Sequence, residues 1–190
     1  MAAAKSLTPD EMNKVLAYIA GNSYAARNRV MFLLTAMAGL RVSEVAGLTL
    51  ADVLDREGAV RSEVYLASSR VKHGHARTVY LNKRLQTEIA SYLGTRKNLD
   101  RTLPLFPTHR GPRCSFTANT LTQHFYWLYK KAGVSGASSH SGRKTFLTNL
   151  ASQGVSVFVL ASLAGHKSIS TTQKYITVND EVKRRAVELA

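Results

Sequence analysis

The stretch from Tyr24 to Leu40, YAARNRVMFLLTAMAGL, carries apolar residues too densely for a helix with one solvent-facing side. Such a segment is stable only inside a core, so other elements must pack around it. Gly39 supplies its stop, because glycine takes the left-handed conformation that ends helices at little cost. The chain has 190 residues, 45% of them hydrophobic. That is enough for one sizeable core, and a single catalytic-sized unit across 1–190 is expected.

The surrounding sequence reads as further helices. Thr8-Pro9-Asp10-Glu11 combines a capping threonine, a proline at the first helical position and a glutamate three residues after the cap, so a helix starts there and runs to about Ala20. A short helix is expected in RVSEVAGL, and a polar turn over Asp52 to Gly58. From Val60 the apolar period becomes two, through Val64 and Leu66, and RTVYL resumes it at Arg77 to Leu81. The glycine within RVKHGH between them predicts a hairpin whose turn presents basic side chains. Asn82 caps a helix over KRLQTEIASYLGTRK, and residues 98–115, with prolines 104, 107 and 112, form an irregular connection. Helices return over about 119–132, 141–153, 155–164 and 171–176, and the amphipathic tail at 179–190 forms a last one. The fold class is thus mainly α with a small antiparallel β-sheet, its core within about 6–178.

Charge narrows the partner. Lys and Arg number 26 against 12 Asp and Glu, a formal +14, which points to an anionic ligand and above all to nucleic acid. No apolar run of about 18 residues is present to span a membrane, and no secretory signal pattern opens the chain. Cys114 stands alone, which excludes an intramolecular disulfide and a cysteine metal cluster. His73-Gly74-His75 lacks further ligands for a metal. A reducing, cytoplasmic setting is expected.

Several residues then ask for one explanation. Arg41 follows the buried helix, Lys72 lies in the hairpin turn, and His140 and Arg143 open a helix one turn apart. Positions i and i+3 share a helix face, and the helix N-terminus adds partial positive charge, so this pair favours a phosphate. Two arginine forks match non-bridging phosphate oxygens and stabilise the extra charge of a pentavalent transition state. LAGHKSISTTQKYI, at 163–176, is too polar for core and supplies a candidate for the missing nucleophile. The Tyr175 hydroxyl, attacking a phosphodiester, forms a phosphotyrosine and expels a sugar hydroxyl, with His166 orienting the site or bonding a phosphate oxygen.

Together AGLRVSEVAGL, VKHGHARTVYL, HSGRKTFLTNLASQG and LAGHKSISTTQKYI resemble, in order and spacing, the catalytic domain of tyrosine recombinases, the phage integrase family. Singly these motifs are weak; four in order are specific, and the resemblance covers roughly residues 6–180. It implies that Arg41 is the first catalytic arginine, with Glu44 supporting it, and that Lys72 is the general acid toward the leaving 5′ hydroxyl. It further implies that His140 and Arg143 are the His-x-x-Arg pair, His140 being the general base, that His166 is the second histidine, and that Tyr175 is the nucleophile. Gly142 departs from the leucine common in the family, and Lys144 stands where histidine or arginine is usual.

The implied function is site-specific DNA recombination through a 3′-phosphotyrosine, with neither metal nor nucleotide cofactor. The alternatives are a type IB topoisomerase-like relaxing activity and a non-catalytic DNA-binding regulator on the same fold. Double-stranded DNA is the expected partner, on a phosphate track of Arg70, Arg77, Lys83, Arg84, Lys144 and Lys167. Base edges are expected to meet Asn119, Thr122 and Gln123 at the start of one helix. The resemblance implies a monomer in solution, a tetramer on paired DNA sites, accessory DNA-bending proteins, a nucleoid location, and a C-terminal segment that docks on a neighbouring subunit. Most members carry a DNA-clamping domain of about a hundred residues before the catalytic one. None is expected here, as in the small single-domain invertases, although a piece of a longer protein is the other reading.

Overall fold

Residues 4–67 and 76–176, with 183, 184, 187 and 188, are described by the computed structural model. The expected hairpin turn, with Arg70 and Lys72, lies outside the described residues, as does most of the expected C-terminal helix.

Helix α1 (Pro9–Ala20) begins on the anticipated capping box: Thr8 accepts from the Glu11 amide, and the Glu11 carboxylate accepts from the Thr8 amide. Helix α2 (Ala25–Ala38) is the dense apolar run, buried along almost its whole length, with even Arg27, Asn28 and Thr35 covered. It ends at Gly39 in the left-handed conformation. Short helices α3 (Val42–Ala46) and α4 (Leu50–Val53) follow. The polar turn expected from Asp52 starts later. Asp52 belongs to α4, where its carboxylate caps the Thr49 amide, and the chain turns over Asp55 to Gly58.

Strands β1 (Glu63–Leu66) and β2 (Arg77–Tyr80) pair antiparallel with Glu63 opposite Tyr80 and Leu66 opposite Arg77. Alternation turns Val64, Leu66, Arg77 and Val79 inward and leaves Tyr65 and Tyr80 exposed. Helix α5 (Lys83–Gly94) starts on Asn82, whose side chain accepts from the Leu85 amide at 2.9 Å. The proline-rich connection is irregular but pinned by isolated bridges, Thr49 to Pro104 and Pro107 to Ser115, and it buries Leu105 and Phe106. Helices α6 (Ala118–Lys131), α7 (Ser141–Ser152), α8 (Val157–Ala164) and α9 (Ile169–Gln173) complete the described chain. The last is shifted from expectation: α9 ends at Gln173, and Tyr175 sits in the turn that follows.

Two apolar clusters result among the described residues. The large one surrounds α2, against which α1, α5 and α7 pack. The small one holds Leu147, Leu160 and Ala164, with Phe146, Leu150, Tyr175 and Ile176 against it. Two leucines at about 1.5–3 kcal/mol each therefore anchor the end of the molecule that carries Tyr175. No helix among the described residues is long and apolar enough to cross a membrane.

Candidate active site

The site is organised by the C-terminal end of α8. The chain leaves the helix through Gly165 at φ 61°, and the amides of Gly165 and His166 bond back to Ser162 and Ala161. This Schellman-type closure leaves the carbonyls of 163–165 without helical partners, at the negative end of the helix dipole. Three arginines from three other elements take them. Arg77 Nη1 donates to Leu163 O at 2.7 Å, Arg143 Nη2 to Ala164 O at 2.6 Å, and Arg41 Nη2 reaches Gly165 O at 3.5 Å. Glycine is required at 165 on two counts, since a Cβ would also stand 2.6 Å from Arg77 Cδ.

Glu44 balances this charge from behind. Its side chain is fully buried. Oε1 accepts from Arg41 Nη1 at 2.9 Å, and Oε2 accepts from both the Arg41 amide and Arg77 Nη2 at 2.7 Å. Burial alone would raise the Glu44 pKa; the adjoining Arg77 and Arg41 guanidiniums and the Arg41 amide outweigh it and hold the carboxyl below its ordinary range.

Arg143 projects from the first turn of α7 and is nearly buried. Its Nη1 donates to Gly39 O at 2.6 Å, so it bridges the ends of α2 and α8. Burial, with the like charges of Arg41 and Arg77, lowers its pKa to about 9, and it remains a cation at neutral pH. The reach depends on Gly142, because α7 lies so close to α2 that a Cβ there would sit 2.1 Å from Thr35 Oγ1. The departure from the family's leucine thus has a packing cause.

His166 meets Arg143 Nη2 at 3.1 Å through Nε2 and Thr172 Oγ1 at 2.9 Å through Nδ1. A guanidinium only donates, so Nε2 is the acceptor and Nδ1 carries the proton toward Thr172. Burial and the charges of Arg143, Arg41 and Arg77 push the His166 pKa down to about 4, which keeps the ring neutral. That ring stacks on Tyr175, centroids 5.9 Å apart and planes at 19°. An open pocket of about 320 Å³ is lined by His140, Arg143, Lys144, Lys174 and Tyr175, together with Ala4.

The family model described as the phage integrase family matches residues 5–182. The chain belongs to this family. It is similar to the tyrosine recombinase XerA of Pyrococcus horikoshii, 34% identical over 191 residues, which cover 98% of this chain and 61% of the relative. Among solved structures it is similar to XerA recombinase, with TM-score 0.75 and 26% identity over 99% of this chain and 66% of that one. The Tn1549 transposon integrase in complex with circular intermediate DNA has a like fold, with TM-score 0.76 and 24% identity over 100% of this chain and 68% of that one. The chain therefore spans about three fifths of the curated relative's length.

Of the residues singled out by the family pattern, Arg41, Glu44, His140, Arg143, His166 and Tyr175 fall in one connected neighbourhood; Lys72 lies outside the described residues. Lys144 lines the pocket, and Lys167 stands exposed beside His166. Lys83 and Arg84 are exposed on the first turn of α5, away from the pocket lining. Asn119 and Gln123 are exposed on α6, whereas Thr122 is half-buried with its hydroxyl donating to Ala118 O. Arg77 differs from its expected place on a surface track: it is buried and points at Glu44. Strand parity carried that signal, because Arg77 shares a face with Val79 and Leu81. Lys174 and Thr172 were missed, although Lys174 directly precedes Tyr175.

Proposed function

We propose that this chain cleaves and rejoins double-stranded DNA at specific sites through a covalent 3′-phosphotyrosine. The carrying observation is that Tyr175, Arg143 and His140 line one open pocket, with Arg41 and His166 bonded in behind it. Of the five N–H donors on Arg143, three are engaged among the described residues by Gly39, Ala164 and His166, which leaves two as candidates to meet a phosphate. A guanidinium held on three sides needs no reorganisation when charge develops on the phosphoryl oxygens.

In this reading the Tyr175 oxygen attacks phosphorus, its proton passing to His140. The bond to the 5′ oxygen breaks, and Lys72 protonates that oxygen as it leaves. The reverse attack by a 5′ hydroxyl of another strand restores the phosphodiester and frees the phenol, so bond number is conserved without an external energy source. Lys144 and Lys174 add charge beside the scissile phosphate, and the start of α6 faces base edges. The assembly is a tetramer on two DNA sites, formed from monomers with accessory DNA-bending proteins in the nucleoid, and the C-terminal segment docks on a neighbouring subunit.

The test uses nicked duplexes that trap the cleaved state, without added metal, and scores a denaturation-resistant protein–DNA adduct. Wild type forms it and Tyr175→Phe does not. Binding without any adduct would instead make the chain a DNA-binding regulator, and plasmid relaxation without exchange between sites would make it a topoisomerase.

A further inference from the structure

We propose that Arg77 is a positioning residue for strand cleavage, tying β2 to the Glu44 carboxylate and to the end of α8 and thereby setting the geometry of Arg41 and His166. The inference rests on the function proposed above and assigns a role to a side chain outside the family's six-residue pattern.

Arg77 opens β2 at a position whose neighbours on the same face, Val79 and across the ladder Leu66, are apolar and buried. A cation there is not explained by stability, because a buried ion pair is commonly no better than apolar packing of similar volume. What the guanidinium does is join three segments with one rigid fork. Nη2 holds the Oε2 atom that also receives the Arg41 amide, Nη1 holds Leu163 O, and its stem lies under Gly165. The residue after that glycine is His166, and the carbonyl between the two contacts, Ala164 O, is the one that orients Arg143. A shift of Arg77 therefore moves Arg41 through Glu44, and moves His166 and Arg143 through the turn. It contacts neither the pocket nor solvent appreciably, so the effect runs through those groups rather than through DNA.

Two variants separate this role from others. Arg77→Met fills the inward position without charge. Arg77→Lys keeps the charge near Glu44 but has no fork to span Glu44 and Leu163 O together. For each, thermal melting, DNA affinity with its salt dependence, single-turnover adduct formation on the nicked duplex, and the His166 ring titration by NMR are measured. Both variants are expected to fold and to bind DNA with unchanged affinity and salt slope, while adduct formation slows about a hundredfold, as for an ångström-scale misplacement. The His166 midpoint in Arg77→Met rises toward that of an ordinary histidine, because one neighbouring cation has gone. If Arg77→Met fails to fold, Arg77→Lys carries the comparison.

Wild-type adduct rates in a folded variant overturn the inference, as does an unmoved His166 midpoint in folded Arg77→Met. Affinity and a salt slope that fall by about one unit together with the rate make Arg77 a phosphate contact and overturn it too. A wild-type protein that forms no Tyr175-dependent adduct overturns the functional reading, and the inference with it. Normal wild-type cleavage with undiminished variants overturns the inference alone.

Discussion

Replacing Gly142 by alanine adds one methyl group at the closest approach of two helices. The new Cβ would lie 2.1 Å from Thr35 Oγ1, 2.9 Å from Thr35 Cβ and 3.3 Å from the Ala36 amide. Thr35 cannot rotate away freely, because it is fully buried and donates to Phe32 O at 2.7 Å. Relaxing 2.1 Å to an ordinary contact of 3.4 Å moves the first turn of α7 by about 1.3 Å. Arg143 is the next residue, and a 2.6 Å bond to Gly39 O lengthened by that amount is no longer a hydrogen bond. Overpacking costs about 1–3 kcal/mol, and replacing glycine in a helix returns about 1 kcal/mol. The net loss is thus about 1 kcal/mol, or about 2–4 °C in Tm for a chain of this size. Cleavage suffers far more: about a hundredfold for a misplacement of this size, equivalent to about 2.7 kcal/mol in the barrier. Single-turnover adduct formation alongside thermal melting reads both numbers, and Thr35→Ala in the same chain, which removes the hydroxyl, should restore part of the rate. Wild-type cleavage by Gly142→Ala at an unchanged Tm would refute the packing argument.

Other consequences are equally direct. His124, wedged between Phe116 and Phe125, has its pKa pushed by burial and then by the Arg27 charge from 6.5 to about 4. Its unfolded form takes up a proton before the folded one does, so Tm should fall as pH drops from about 6.5 to 4, with a smaller fall in His124→Phe. Glu44→Gln removes the carboxylate shared by Arg41 and Arg77; chemical denaturation should show a loss of about 3 kcal/mol, together with slower cleavage. Because the Glu44 pKa is depressed, its contribution is present above the unfolded carboxyl value and disappears as pH falls below it, so the wild-type and variant curves should converge in acid. Lys144→Ala and Lys167→Ala should each reduce the salt slope of DNA binding by about one unit if each side chain meets one phosphate.

The parts of this molecule that a reader of the sequence can find are those whose causes are local. The capping box at Thr8, the Asn82 cap and the glycine that ends α2 sit within four residues of the groups they serve. The family motifs pointed to the candidate site residues because chemistry restricts their types. Arg77 was misplaced for the opposite reason: an arginine in a basic chain reads as surface until a carboxylate 33 residues away is seen to face it. Gly142 showed in the sequence only as a departure from the family's leucine, because its packing reason, Thr35, lies on another helix. Tyr175 fell outside the expected helix because the end of α9 is set by packing of 175 and 176 on the small cluster, not by a breaker in the sequence.

Three cations from α3's start, β2 and α7 converge on consecutive carbonyls of one helical turn, and that turn is held mainly by the smaller apolar cluster. Unwinding α8 by a single turn would release all three at once, together with the histidine that follows. In the function proposed above, competence for cleavage is then all-or-none: the molecule has a safety catch, and fraying one short helix disarms the site while the main core stays folded. Amide exchange at Gly165 and His166 would count how often the catch opens.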